Sequence, residues 1–168
     1  MIQKICEIYN LLQIFMKSYL ITIAIFLALW FAYKTVRHFY FKLNVQDGEM
    51  APDFTAKLID GSTFHISDYK GKIILLHFWG SWCGPCRREN PLINKLYDDF
   101  HDKKFKNIDG FEILSIGVEA DEMRWQKAIL TDNLHWKNHT SDVNMFEGKI
   151  PTLFGVRQIP SLILIDQN

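Results

Sequence analysis

The most restrictive feature of the chain is a change of apolar periodicity around residue 80. Ile73–Trp79 (IILLHFW) is a nearly continuous apolar run of the length expected for a strand buried on both faces. From Arg87 to Phe100 the pattern changes: Leu92, Ile93, Leu96, Tyr97 and Phe100 recur at three- and four-residue spacing and mark one face of a helix. Pro91 is expected to kink that helix near its start. Between the two stands Cys83-Gly84-Pro85-Cys86, so both sulfurs fall where a buried strand hands over to a helix.

The remaining pattern extends an α/β reading. Phe54–Leu58 and Ser62–Ile66 alternate apolar and polar residues around Asp60-Gly61, a dipeptide suited to the positive φ of a tight turn, and predict a β-hairpin. Phe111–Val118 reads as a second buried strand, Asp121–Leu130 as a second helix and Ser161–Ile165 as a final strand. The order strand, helix, strand, helix, strand predicts parallel βαβ crossovers.

Charge divides the chain. Nineteen basic residues balance nineteen acidic ones, so no basic excess points to nucleic acid. The zero is an average of unlike parts: residues 1–44 carry five basic residues against Glu7, a net +4, and residues 45–168 carry fourteen against eighteen, a net −4. Between Lys17 and Lys34 lie sixteen uncharged residues, SYLITIAIFLALWFAY. As a helix they reach about 24 Å, short of the roughly 30 Å hydrocarbon layer, but Lys17 and Lys34 can snorkel, and Tyr19, Trp30 and Tyr33 stand near the ends, where amphipathic rings are favoured.

Residues 18–33 are therefore expected to be a transmembrane anchor, flanked by residues 1–17 and followed by a linker over 34–50. A buried core helix is the other reading, but a run this evenly apolar with no polar face fits poorly on a domain whose own core is complete without it. Leu29-Trp30-Phe31-Ala32-Tyr33 is too bulky for a signal-peptidase site, so the anchor is read as uncleaved. The charge rule does not choose an orientation, because basic residues flank both ends.

The spacing of Cys83 and Cys86 suits a redox dithiol. Unpaired N–H groups and the dipole at a helix start favour an anion, so Cys83 can hold a thiolate and act as the attacking sulfur. Cys86, one turn on, can resolve a mixed disulfide, and Pro85 gives up an N–H that the first turn leaves unpaired. Glu89, three residues beyond Cys86, shares its face of the helix and is a candidate proton partner for the resolving thiol. Arg87 and Arg88 could add positive potential or form a solvated face. None of His65, His77, His135 and His139 is read as a ligand or triad member, and His77 reads as a core histidine. Cys6 carries no supported role.

Phe78 through Pro91 (FWGSWCGPCRRENP) resembles the thioredoxin superfamily, specifically its membrane-anchored TlpA/ResA-like thiol–disulfide oxidoreductases. Ala51-Pro52-Asp53-Phe54 with Asp60-Gly61 is similar to that family's N-terminal hairpin, and Phe154–Asp166 to its cis-proline segment and following strand, so the likeness covers residues 51–166. It implies a thioredoxin-like domain over residues 51–168 that exchanges electrons with thiols and disulfides of cell-envelope proteins, outside the cytoplasm. By position it makes Cys83 the exposed nucleophile, Cys86 its buried partner, Glu89 the active-site glutamate and Pro160 a cis-proline beside the dithiol. Ile159 would then present backbone groups to an extended substrate peptide. The family pattern continues with a further strand and helix after Ser161–Ile165, so the sheet is expected to lack both.

Other readings of the same residues are a redox-inactive anchored adaptor and a copper or zinc carrier using the two thiolates, although no second C-x-x-C accompanies the first and a closed zinc site needs about four ligands. A peroxiredoxin shares the Ala-Pro-Asp-Phe opening but has Thr or Ser three residues before its cysteine, where Gly80 stands here. No cofactor motif is present.

Overall fold

A computed structural model describes residues 2–104 and 106–166, with side chains from Leu12 onward, so the Cys6 side chain lies outside the described residues. The chain divides into two compact units, Met1–Lys42 and Leu43–Asn168.

The first unit is one helix, α1 (Ile2–Tyr40). Its apolar stretch Leu12–Tyr40 has 29 residues, long enough to cross a membrane by length and composition. At about 1.5 Å per residue it reaches about 44 Å. The helix therefore continues beyond the sixteen uncharged residues, and residues 34–40, read from sequence as the start of a linker, are helical. Lys34 lies over the Trp30 ring at 5.6 Å, one helical turn back, so its charge is held beside the apolar stretch.

The second unit opens with the hairpin β1 (Thr55–Lys57) and β2 (Thr63–His65). There follow β3 (Ile73–Trp79), α2 (Gly84–Phe100), β4 (Phe111–Gly117), α3 (Glu122–Thr131), β5 (His139–Ser141), α4 (Lys149–Phe154) and β6 (Ser161–Ile165). The main sheet has the order β5-β4-β3-β6. Strands β3, β4 and β5 run parallel, whereas β6 pairs antiparallel with β3. The sequence pattern had implied a second crossover into Ser161–Ile165. That crossover leads instead to β5, a short strand of polar residues with no apolar signal, and the reversal before β6 is made by α4.

Alternation along β3 explains its unbroken apolar run. Ile74, Leu76 and Phe78 pack with Leu114, Ile116, Phe54, Phe64 and Phe154 under the hairpin and α4. Leu75 and Trp79 face the other way, toward Cys86 and Ile93 of α2 and Trp125 and Ile129 of α3. A strand covered on both faces has no polar side to show. Helix α2 runs on through Pro91, whose missing N–H leaves one turn without its bond but does not end the element. Among the described residues β6 pairs only with β3, and Leu162 and Leu164 of β6 are exposed.

Part of the stretch read as linker belongs to the packed unit. Leu43 and Val45 pack on the hairpin-side core, and Asn44 closes the end of α4: its N–H donates to the Phe154 carbonyl at 3.0 Å and its Nδ2 to the Thr152 carbonyl at 3.0 Å. Gly155 makes room for this with φ +69°, and a Cβ there would come within 2.7 Å of the Asn44 nitrogen. Gly155→Ala is expected to destabilise the domain by about 1–3 kcal/mol, through the left-handed backbone and the displaced Asn44 bonds. A urea midpoint equal to that of the parent protein would contradict this account.

Candidate active site

The register of the sheet brings three distant segments to one end. β3 and β4 are parallel with Trp79 opposite Gly117, so the chain leaves both strands at the same edge. β6 enters there, because Ser161 pairs with Phe78. Residues 80–86, Val118-Glu119 and Ile159-Pro160 therefore meet at the carboxyl ends of the parallel strands.

Cys83 is the N-cap of α2, with extended backbone (φ −84°, ψ 99°), and its Sγ accepts the N–H of Cys86 at 3.2 Å. The two cysteines form a disulfide with Cα atoms 5.3 Å apart. Both sulfurs lie in the core cluster that includes Trp79, Ile93 and Trp125. Cys86 is fully buried and Cys83 is 4% exposed in this disulfide form, so the sulfur expected to be exposed is the outer of the two but is largely covered. The neighbouring Trp82 is 43% exposed. Ile159 packs against this cluster, and the Ile159–Pro160 peptide is cis, with Pro160 at the surface.

Glu89 is half-buried on α2, and its Oε2 is buried with no hydrogen-bond partner. The two arginines divide. Arg87 forks onto Asp132, the C-cap of α3, with Nε 2.9 Å from Oδ2, and this pairing pushes its already high pKa further up. Fully buried Asn90 donates to the same carboxylate at 2.7 Å and Asn94 to the Asp132 carbonyl at 3.0 Å. The charge of Arg87 is thus spent on clamping α2 to α3. Arg88 instead folds back over the first turn of α2, its Nη1 3.5 Å from where a Cβ of Gly84 would lie.

Gly80 is required by close approach. A Cβ there would stand 2.7 Å from Trp82 Nε1 and 2.9 Å from the Val118 carbonyl, the two groups that bond each other at 2.8 Å. A threonine or serine at this position would break that bond, a physical reason why the peroxiredoxin pattern does not fit this loop.

Sequence reasoning missed Glu119, Asp132 and Asn44, for none lies in an apolar pattern or beside the cysteines. His77 is a core histidine as expected: it is fully buried, with Nδ1 3.2 Å from Ser115 Oγ, Nε2 unpartnered and the ring stacked on Trp79. Among the described residues no group of three or more His, Cys, Asp or Glu is arranged to hold a metal ion.

A mixed sheet with a dithiol at a helix start and a cis-proline loop alongside defines a thioredoxin-like redox domain. Comparison with known proteins gives the same class. Residues 48–168 match the AhpC/TSA family. The chain is 32% identical over 127 residues to the thiol-disulfide oxidoreductase ResA of Geobacillus thermodenitrificans, covering 76% of this chain and 67% of that protein. It is 44% identical over 62 residues to the thioredoxin-like protein YneN of Bacillus subtilis, covering 37% of this chain and 36% of that one. The thioredoxin domain of a thiol-disulfide oxidoreductase from Bacteroides vulgatus superposes with a TM-score of 0.62 at 30% identity, over 74% of this chain and 84% of that one. The chain belongs to the AhpC/TSA family and, within it, to the ResA-like thiol–disulfide oxidoreductases.

Proposed function

We propose that the protein is a single-pass membrane oxidoreductase whose thioredoxin-like domain, residues 51–168, works outside the cytoplasm on thiols and disulfides of cell-envelope proteins. Residues 18–33 form the core of the anchor and residues 34–50 lead from it to the domain. The observation that carries the reading is the place of Cys83: an N-cap whose sulfur accepts a helix N–H, at the sheet end where Ile159-Pro160 also lies.

In the reducing direction the Cys83 thiolate attacks one sulfur of a substrate disulfide, forming a Cys83–substrate disulfide and releasing the other substrate sulfur as thiolate. Cys86 then gives up its proton and attacks Cys83 Sγ. The second substrate sulfur leaves, the substrate has gained two electrons, and the Cys83–Cys86 disulfide holds the oxidised state. The oxidising direction is the reverse. Glu89, with a carboxylate oxygen that has no other partner, takes the Cys86 proton. Ile159, before Pro160, lends its backbone to the substrate strand.

The test is trapping with Cys86→Ser in membranes. The variant is expected to accumulate mixed disulfides on Cys83 with envelope proteins, and Glu89→Gln in the otherwise native chain to slow release without slowing the first attack. Absence of any adduct under oxidising and reducing conditions would defeat the proposal. Adducts confined to cytoplasmic proteins would reverse the orientation.

A further inference from the structure

A buried carboxylate that the mechanism above does not use sits against the active-site loop. Glu119 follows β4 and is 2% exposed. Its Oε1 accepts the backbone N–H of Ser81, two residues before Cys83. The surrounding bonds form a stitch between the two loops: Val118 N–H donates to the Trp79 carbonyl at 2.8 Å, and Trp82 Nε1 to the Val118 carbonyl at 2.8 Å. The Cys83 N–H closes back onto the Gly80 carbonyl at 3.0 Å. Residues 80–83 are thus a turn whose ends lie within about 7 Å, and the Glu119 oxygen is bonded inside it. Among the described residues no Lys, Arg or His forms an ion pair with Glu119, and its carboxylate is bonded to the loop that leads into Cys83.

We infer that Glu119 is a positioning residue with two separable effects: its acceptor oxygen holds the Gly80–Cys83 turn, and its negative charge disfavours the Cys83 thiolate and so biases the dithiol toward reducing its substrates. The inference rests on the redox reading of Cys83 and Cys86 and adds a direction to it. The helix start, with Arg88 over its first turn, stabilises the thiolate; Glu119 opposes it from the loop side. A less favoured thiolate makes the reduced form less stable, which is the sense of a stronger reductant.

Glutamine separates the effects, because its carbonyl oxygen can still accept the Ser81 N–H while the charge is gone. The full-length protein, reduced in detergent micelles, is alkylated across pH and modification at Cys83 is followed by peptide mass. Glu119→Gln is expected to lower the Cys83 thiol pKa by about one unit, the order of shift that removal of a nearby like charge produces in partly buried surroundings. Its equilibrium with glutathione should move toward the dithiol by up to about tenfold, or about 30 mV for a two-electron couple. Glu119→Asp, which keeps the charge, should return both values toward those of the parent.

An unchanged Cys83 titration in Glu119→Gln overturns the inference, as does an equal shift in Trp82→Phe, which loosens the same turn without touching the charge. A Glu119→Gln chain that does not fold also overturns it, since the charge is argued to be dispensable for the turn. These failures differ from failure of the redox reading itself, which would appear in the parent protein as no mixed disulfide and no turnover of a protein disulfide.

Discussion

Cys83→Ser is expected to lower turnover of a protein disulfide by at least about a thousandfold, because no other sulfur at this site can begin the exchange. Cys86 is fully buried beneath the first turn of α2 and cannot reach an incoming substrate without displacing Cys83. A serine at position 83 keeps the N-cap, since its hydroxyl can accept the same helix N–H, so the loss falls on chemistry and leaves folding intact. The measurement is reduction of a fluorescent protein-disulfide substrate by the full-length chain, with thermal melting alongside. Residual activity above about 1% of the parent would show that Cys86 is a competent nucleophile and that the roles of the two sulfurs are misassigned.

Acid should unfold this domain well before its carboxylates are neutralised. His77 and His139 are buried in one aromatic cluster, where Trp136 stacks on His139 at 5.3 Å and its ring lies 6.4 Å from that of His77. Burial holds the pKa of His77 down to about 3, with the neighbouring His139 adding to the effect, and burial holds that of His139 down to about 4. His139 Nε2 donates to the Trp136 carbonyl at 2.7 Å, leaving Nδ1 unpartnered, so neither histidine has a site ready for a second proton.

The unfolded chain takes up these protons near pH 6.5 and the folded chain only near 4 and 3. Stability is therefore fully present above about pH 6.5, and it falls as pH drops through the interval between the unfolded and folded values. Each histidine contributes up to about 1.4 kcal/mol per pH unit there. Urea midpoints at pH 7, 5.5 and 4.5 should decline steeply, and His77→Gln with His139→Gln should flatten the decline. Midpoints that do not change between pH 7 and 4.5 would refute the account.

The α/β class was legible because β3, β4 and α2 carry their own periodicity. Ile73–Trp79 is apolar throughout because both sheet faces are covered, and the α2 residues that repeat at helical spacing mark the side that packs. Cys83, Cys86 and Glu89 could be singled out because they recur at three-residue spacing over the start of one helix, and Pro160 because its segment resembles a known pattern. β5 was missed since His139–Ser141 is polar and three residues long, held by pairing to β4 and not by any pattern of its own. Asn44 was placed in a linker because nothing local reveals that it caps a helix more than a hundred residues away.

Local order alone determined that an uncharged run precedes an α/β domain and that two sulfurs meet at a helix start, since those features depend on neighbours within a few residues. Tertiary structure decided the antiparallel entry of β6, the capture of Arg87 by Asp132 and the position of Glu119 against the Ser81 N–H. Each of these joins residues far apart in the chain, brought together by the register of the sheet and by the packing of α2 and α3 on one of its faces. The dithiol is thus a local invention of the sequence, but the partners of Arg87 and Glu119 are assigned by tertiary packing.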